Sequence, residues 1–164
     1  MPENITNESA LSLHRPETRA VYEYWRSKCG VRRMPARSDI DPVEIPRRIL
    51  GSISLIDIVQ DDRRYVYRLV GTRDVEALGQ DPTGKSVHEL PLGSSANKSL
   101  SEFDRVVSSR EPLLEQVPFV APSGHYETTE MILLPLSENG HNVDKVLVFS
   151  ASRDIRKYAE TVGL

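Results

Sequence analysis

The sequence predicts a small α+β fold, a five-stranded antiparallel sheet with a helical insert on one face and an amino-terminal helix on the other. Three observations predict it. Two strand-like runs within residues 52–70 form a hairpin, a stretch with helical spacing follows, and three further strand-like runs fill residues 113–152. Such an order can close into one sheet with helices packed against it. The 164 residues suit one domain of this kind.

A helix is predicted from residue 16 to Gly30, which stands where a helix stops. Its apolar residues form one stripe at helical spacing, namely Val21, Tyr22, Trp25 and Cys29. We expect this helix to cover the outer sheet face. We also expect a symmetric homodimer in which Val21, Tyr22 and Trp25 contact the partner's equivalent helix, because an exposed aromatic stripe favours association.

The strands are predicted from runs rich in Ile and Val or alternating in polarity. The hairpin consists of residues 52–59 and 64–70, joined by a turn at Asp61-Asp62. Both sides of its first strand are apolar, so we expect that strand to be covered on both faces. The meander consists of residues 113–120, 125–136 and 143–152, with turns at Pro122-Ser123-Gly124 and Asn139-Gly140.

The remaining segments complete the predicted domain. Helices are expected over residues 71–79 and 97–108, with Val75 and Leu78 on the buried side of the first. Residues 1–14 have no periodicity and are predicted to form a flexible tail. The domain itself is predicted over residues 15–152, and residues 153–164 read as a helical extension.

Composition argues against several classes of function. The net charge of −3 provides no positive field for nucleic acid. The apolar runs are far shorter than the ~20 residues that a membrane span needs. Cys29 is the single cysteine, and the polar amino terminus lacks the features of a signal peptide, so a cytoplasmic location is expected.

Three stretches, taken in order, resemble the family of stand-alone bacterial PAS-domain proteins. They are Tyr24–Lys28 with Met34–Pro42, Tyr67–Thr72 with Gly79–Lys85, and Leu133–Leu136 with Asn139-Gly140. Together they span about residues 20 to 150. The resemblance implies a non-enzymatic sensory or regulatory role in signal transduction, beside partners such as a histidine kinase or a cyclic-nucleotide enzyme. It does not indicate the ligand.

A small pocket is expected between the sheet and the helical insert, since glycine turns hold the insert over the sheet. Strand alternation predicts which side chains share a face. The residues predicted to bind a small apolar or amphipathic ligand are Tyr67, Leu69, Val75, Leu78, Leu90, Ile132, Leu134, Leu147 and Phe149.

No cofactor, metal or catalytic group is expected. His88 is a weak candidate for a haem ligand, because a lone histidine is more often at the surface. Cys29 lies outside the helical insert, where a flavin photosensor needs its cysteine, and is expected to be a buried structural thiol. Arg33 and Arg37 match only half of a cyclic-dinucleotide motif and are expected to form a solvated basic connector.

Two alternatives from other classes stay open: a structural adaptor with a closed core and no ligand, and a small α+β enzyme or ligand carrier of the cone-shaped isomerase/hydratase type. Such folds usually begin with long helices before the sheet, whereas here a hairpin comes before the helical insert. No acid–base pair stands out either. The carboxylates Asp57, Glu127 and Glu130 are candidates for an acid and a base, but they are expected to face solvent or to pair with Arg64 and Arg68 across neighbouring strands.

Overall fold

The sheet has five antiparallel strands, as the sequence predicted, and their order is β2-β1-β5-β4-β3. The computed structural model describes residues 15–90, 96–120 and 126–151, so the predicted tail and carboxy-terminal extension lie outside the described residues. The strands are β1 (Ile53–Ile58), β2 (Tyr65–Leu69), β3 (Leu113–Val120), β4 (Tyr126–Leu136) and β5 (Lys145–Ala151).

Four α-helices surround the sheet within the described residues. They are α1 (Pro16–Cys29), α2 (Arg47–Leu50), α3 (Thr72–Leu78) and α4 (Ala96–Ser109). Two short 3-10 helices, Arg37–Asp39 and Pro42–Glu44, lie between α1 and α2. None of the helices that the described ranges contain is long and apolar enough to cross a membrane.

The sheet separates two layers of helix, as predicted. The insert face carries Ser54, Ile56 and Tyr67 and is covered by α3 and α4; the Ser54 hydroxyl, for example, bonds to Asp74 of α3. The cap face carries Ile53, Leu55 and Leu147 and is covered by α1. Because the central strands are buried on both faces, each contributes apolar residues to both layers.

The amino-terminal helix is anchored to the cap face at both of its ends. At its start, the Arg15 backbone N–H donates to the carboxylate of Glu130 at 3.3 Å, and this glutamate is almost fully buried in β4. Near its other end, the Trp25 indole N–H donates to the Pro135 carbonyl oxygen at 2.9 Å. The helix ends at Gly30, which has a positive φ of 59°.

Candidate ligand cavity beneath the amino-terminal helix

A cavity of about 150 Å³ lies on the cap face between α1, the 42–50 segment and the sheet. The term 42–50 segment denotes the second 3-10 helix, Ile45, Pro46 and α2. The walls of the cavity are mostly apolar, and the lining residues are Ala20, Val21, Tyr24, Trp25, Glu44, Ile45, Pro46, Ile49, Ile53 and Leu147. A cavity of this size accommodates a molecule of about one aromatic ring.

Local chemistry explains why the 42–50 segment turns back along α1. The Asp41 side chain accepts a hydrogen bond from the Val43 backbone N–H at 2.9 Å, and Pro42 supplies the fixed φ that suits a helix start. The resulting single turn brings Glu44 and Ile45 beside the helix. The apolar side chains of Ile45 and Ile49 are buried against the core, so the segment is held by packing.

A polar cluster stands at the rim of the cavity. This rim cluster consists of Tyr24, Lys28, Glu44 and the backbone of Asp41. The Tyr24 hydroxyl donates to Glu44 Oε2 at 2.7 Å and accepts from the Asp41 N–H at 2.9 Å. The Lys28 ammonium lies 2.6 Å from the same Glu44 oxygen and 5.3 Å from the centre of the Tyr24 ring.

The contacts within the rim cluster shift the pKa values of its three side chains, Tyr24, Lys28 and Glu44. The hydrogen bond from Lys28 holds the pKa of Glu44 below its usual range, and the hydrogen bond from Tyr24 acts in the same direction. The hydrogen bond with Glu44 raises the pKa of Lys28. Burial, followed by the bond to Glu44, raises the pKa of Tyr24. The cluster is therefore a carboxylate, an ammonium and a neutral phenol at neutral pH.

A second polar cluster lies on the insert face. The Ser54 hydroxyl donates to Asp74 Oδ2 at 2.6 Å and accepts from the Gly71 N–H at 3.3 Å. Tyr67 is also buried there, and its hydroxyl donates to the Leu90 carbonyl oxygen. Burial raises the pKa of the Asp74 carboxyl, while the bond from Ser54 lowers it. Burial, with the charge of Asp74 as a further cause, raises the pKa of Tyr67.

The buried Asp74 makes stability depend on pH. Its pKa in the folded protein lies above the ordinary 3.8. The contribution of Asp74 to the stability of the fold is therefore complete below its ordinary pKa, and it is lost as the pH rises through the raised pKa of the folded protein. We expect Asp74→Asn to gain stability relative to the wild type across that window, measured by urea unfolding at a series of pH values.

Asp81→Asn is the control for this experiment. Hydrogen bonds from Thr83 lower the pKa of Asp81, so its stabilising contribution is lost as pH falls and the slope has the opposite sign. A difference between Asp74→Asn and the wild type that does not change with pH would contradict the assignment.

The structure does not bring the nine predicted ligand-binding residues around one cavity, so that grouping is wrong. Tyr67 faces the helical insert and bonds to Leu90, and Leu78 and Leu90 pack at the edge of the core. Leu147 lies on the opposite face and lines the cavity. The side chains on the face of Leu147, according to strand pairing, also include Ile132, Leu134 and Phe149.

Two physical causes account for this error. β4 and β5 are buried on both sides, so their apolar pattern does not say which alternate residues face the insert. In addition, an irregularity in the register between β1 and β2 pairs Leu69 with Leu55 but Tyr67 with Ile56, so Leu69 leaves the face of Tyr67. Leu69 is 50% exposed, and Val75 is half-buried.

The predicted dimer stripe is buried within the chain. Val21, Tyr22 and Trp25 are each at most 5% exposed, and Tyr22 and Trp25 stack with their ring centres 6.1 Å apart. The expectation that they pack on the outer sheet face is confirmed. Their expected role as an exposed contact surface for a partner's helix is wrong, because the chain's own sheet and loops cover them. The homodimer itself stays a prediction.

The other candidate residues have plain structural settings. His88 is exposed, so its side chain does not point into the core. Cys29 is buried, as expected, and burial raises the pKa of its thiol. Arg33 donates to the Ser109 carbonyl and pairs with Glu111, and Arg37 donates to the Ile40 carbonyl. Among the residues that the structure describes, no group of His, Cys, Asp and Glu could hold a metal ion.

Sequence reasoning missed most of the cavity wall. Glu44 and the apolar side chains of Ile45 and Ile49 were not proposed as site residues, although Ile45 and Ile49 are four positions apart and flank a proline. That spacing indicates one buried helical face. No sequence signal predicts that this face packs against α1, because the contacting residues are far apart in the chain; Tyr24 and Glu44, for example, are twenty positions apart.

A family model described as PAS domain matches residues 13–149. No curated protein matches the chain significantly. Among solved structures, the dark structure of the blue-light photoreceptor Aureochrome1 LOV matches with a TM-score of 0.49 and 9% identity, covering 76% of this chain and 90% of that one.

Two further solved structures match over a smaller part of this chain. The LOV domain of a blue-light activated histidine kinase from Erythrobacter litoralis EL346 matches with a TM-score of 0.44 and 13% identity, covering 60% of this chain and 92% of that one. VqmA bound to DPO matches with a TM-score of 0.47 and 14% identity, covering 60% of this chain and 50% of that one.

Proposed function

Because the chain belongs to the PAS domain family, we propose that it is a non-enzymatic sensory module that binds a small apolar or amphipathic molecule and acts on a partner signalling protein. Proteins with this domain are generally sensory modules. The proposed partner is a histidine kinase or a cyclic-nucleotide enzyme, and the proposed compartment is the cytoplasm. The proposal includes a homodimer, with an interface other than the buried stripe.

The observation that carries the ligand-binding part of this proposal is the cavity on the cap face. It combines an apolar interior, where Trp25, Ile49 and Leu147 lie, with a polar rim at Tyr24 and Glu44. Ligand sites commonly have this composition, an apolar wall with a few polar groups that orient the molecule. Of the residues predicted to bind a ligand, Leu147 belongs to this wall.

The walls of the cavity also suit a sensor. α1, the 42–50 segment and the sheet each contribute lining residues, so a molecule in the cavity contacts three elements at once. A ligand that favours one packing of these elements shifts the population towards it. We propose that α1 carries the change, since it contributes four of the ten lining residues, Ala20, Val21, Tyr24 and Trp25. Bound ligand should then slow amide exchange along α1.

Titration with toluene, followed by NMR, tests the ligand site. We expect saturable shifts of the methyl resonances of Ile49, Ile53 and Leu147, because these side chains line the cavity. Ala20→Leu should abolish the shifts, since the larger side chain fills the space. Glu23→Leu adds the same side chain on the exposed side of the same helix and should leave binding unchanged. Saturable shifts confined to Tyr67 and Leu90 would refute the proposed site.

A further inference from the structure

The polar groups that face the cavity are negative or neutral. Of the ten lining residues, two are polar, the Tyr24 phenol and the Glu44 carboxylate. Lys28 contacts both of them but does not line the cavity. A molecule inside the cavity therefore meets a carboxylate and an aromatic ring first, and the ammonium only beyond them. This arrangement favours a cationic or hydrogen-bond-donating polar end over an anionic one.

Lys28 shows what kind of group the rim accepts. Its ammonium forms an ion pair with Glu44 at 2.6 Å and lies over the Tyr24 ring at 5.3 Å. A carboxylate and the face of an aromatic ring both attract a cation, and together they make a recurrent site for ammonium groups. The chain thus fills the rim with an ammonium of its own. The Lys28 and Glu44 side chains are 27% and 46% exposed, so exchange with another cation requires only local movement.

We infer that the ligand is a small primary amine, with its ammonium on Glu44 and Tyr24 in place of Lys28 and its apolar part in the cavity. This inference rests on the proposed ligand-binding function. The interior sets the size of the apolar part at about one ring or a short branched chain, because the cavity measures about 150 Å³. An anion of the same size would have to approach the Glu44 carboxylate and compete with it for Lys28.

Benzylamine, benzyl alcohol and benzoate are probes that share one ring and differ in charge. We expect NMR titrations of the full chain to rank them in that order of affinity. The protein should prefer benzylamine to benzyl alcohol by about three- to fivefold in affinity, because exposed ion pairs contribute modestly to binding. High salt should reduce this preference.

Two rim variants should change benzylamine binding in opposite directions. Glu44→Gln removes the charge that holds the ammonium and should abolish the preference while toluene still binds. Lys28→Met removes the internal competitor and should raise the affinity for benzylamine about twofold or more, with toluene unaffected. A merely structural role for the rim would weaken the binding of every probe in both variants.

The outcomes separate this inference from the proposed function. If toluene binds saturably but the three probes bind equally, or benzoate binds best, the amine inference is overturned and the cavity remains a ligand site. If Lys28→Met weakens benzylamine binding, the internal-competitor argument is overturned. If toluene and all three probes fail to bind, both the inference and the proposed ligand site are overturned.

Discussion

Replacing Trp25 with alanine is expected to lower the free energy of unfolding by about 3–5 kcal/mol, the range for a large aromatic residue removed from a core. Trp25 is 5% exposed, stacks on Tyr22 and lines the cavity. Its indole N–H also satisfies the Pro135 carbonyl at 2.9 Å, so the truncation leaves a buried acceptor without its partner. Urea unfolding followed by circular dichroism measures the change.

Trp25→Phe is the matched variant. It keeps most of the apolar volume and loses the hydrogen bond, so we expect a smaller loss of about 1–3 kcal/mol. Trp25→Glu is a second test of the same placement. Because the indole is buried within the chain, a glutamate should unfold the protein instead of separating two folded subunits. A folded, monomeric Trp25→Glu variant would contradict the placement of this helix.

Gly71→Ala is expected to destabilise the fold by about 3 kcal/mol or more, at the upper end of the cost of overpacking. Gly71 stands at the start of α3, where the chain crosses from the sheet to the helical insert. An added Cβ would lie 2.7 Å from the carbonyl carbon of Gly51 and 2.8 Å from the carbonyl oxygen of Ile53, and would also collide with the Gly51 oxygen. These atoms are backbone and cannot turn aside as a side chain can.

Gly79→Ala, at the other end of the same helix, is the control. Gly79 has a φ of 75°, and an added Cβ meets no atom within 4 Å. Its cost is therefore conformational, about 1 kcal/mol. Equal losses of stability in the two variants would contradict the close approach of backbone atoms at Gly71. Such a result would mean that alanine disturbs α3 to the same extent at either end.

The fold could be predicted because its signals are local. The stripe from Val21 to Cys29 has helical spacing, and Gly79 ends α3 in the left-handed conformation that favours glycine. In β1, strand alternation places Ile53 and Leu55 on one face and Ile56 on the other, and the strand pairing agrees with it. Where a single residue determines a turn, or the spacing of apolar residues determines which face of an element is buried, the sequence is sufficient to predict the structure.

The candidate site could not be predicted in the same way. Strand alternation predicts which side chains share a face with Leu147. It does not predict which layer of helix that face meets, because β5 is buried on both sides and both sets of alternating residues are apolar. The irregularity opposite Leu55 shifts Leu69 away from Tyr67, and the sequence carries no mark of it. The rim cluster likewise depends on a turn at Asp41 that brings Glu44 back to Lys28.

The measurement that tests the central claim most directly is a crystal structure of the full chain under xenon pressure. Xenon binds dry apolar cavities of this size, and its electron density marks their position. We expect a xenon peak on the cap face, in contact with Trp25, Ile49 and Leu147, and the loss of this peak in Ala20→Leu. A peak on the insert face beside Tyr67, with the cap-face cavity closed or filled with water, would contradict it.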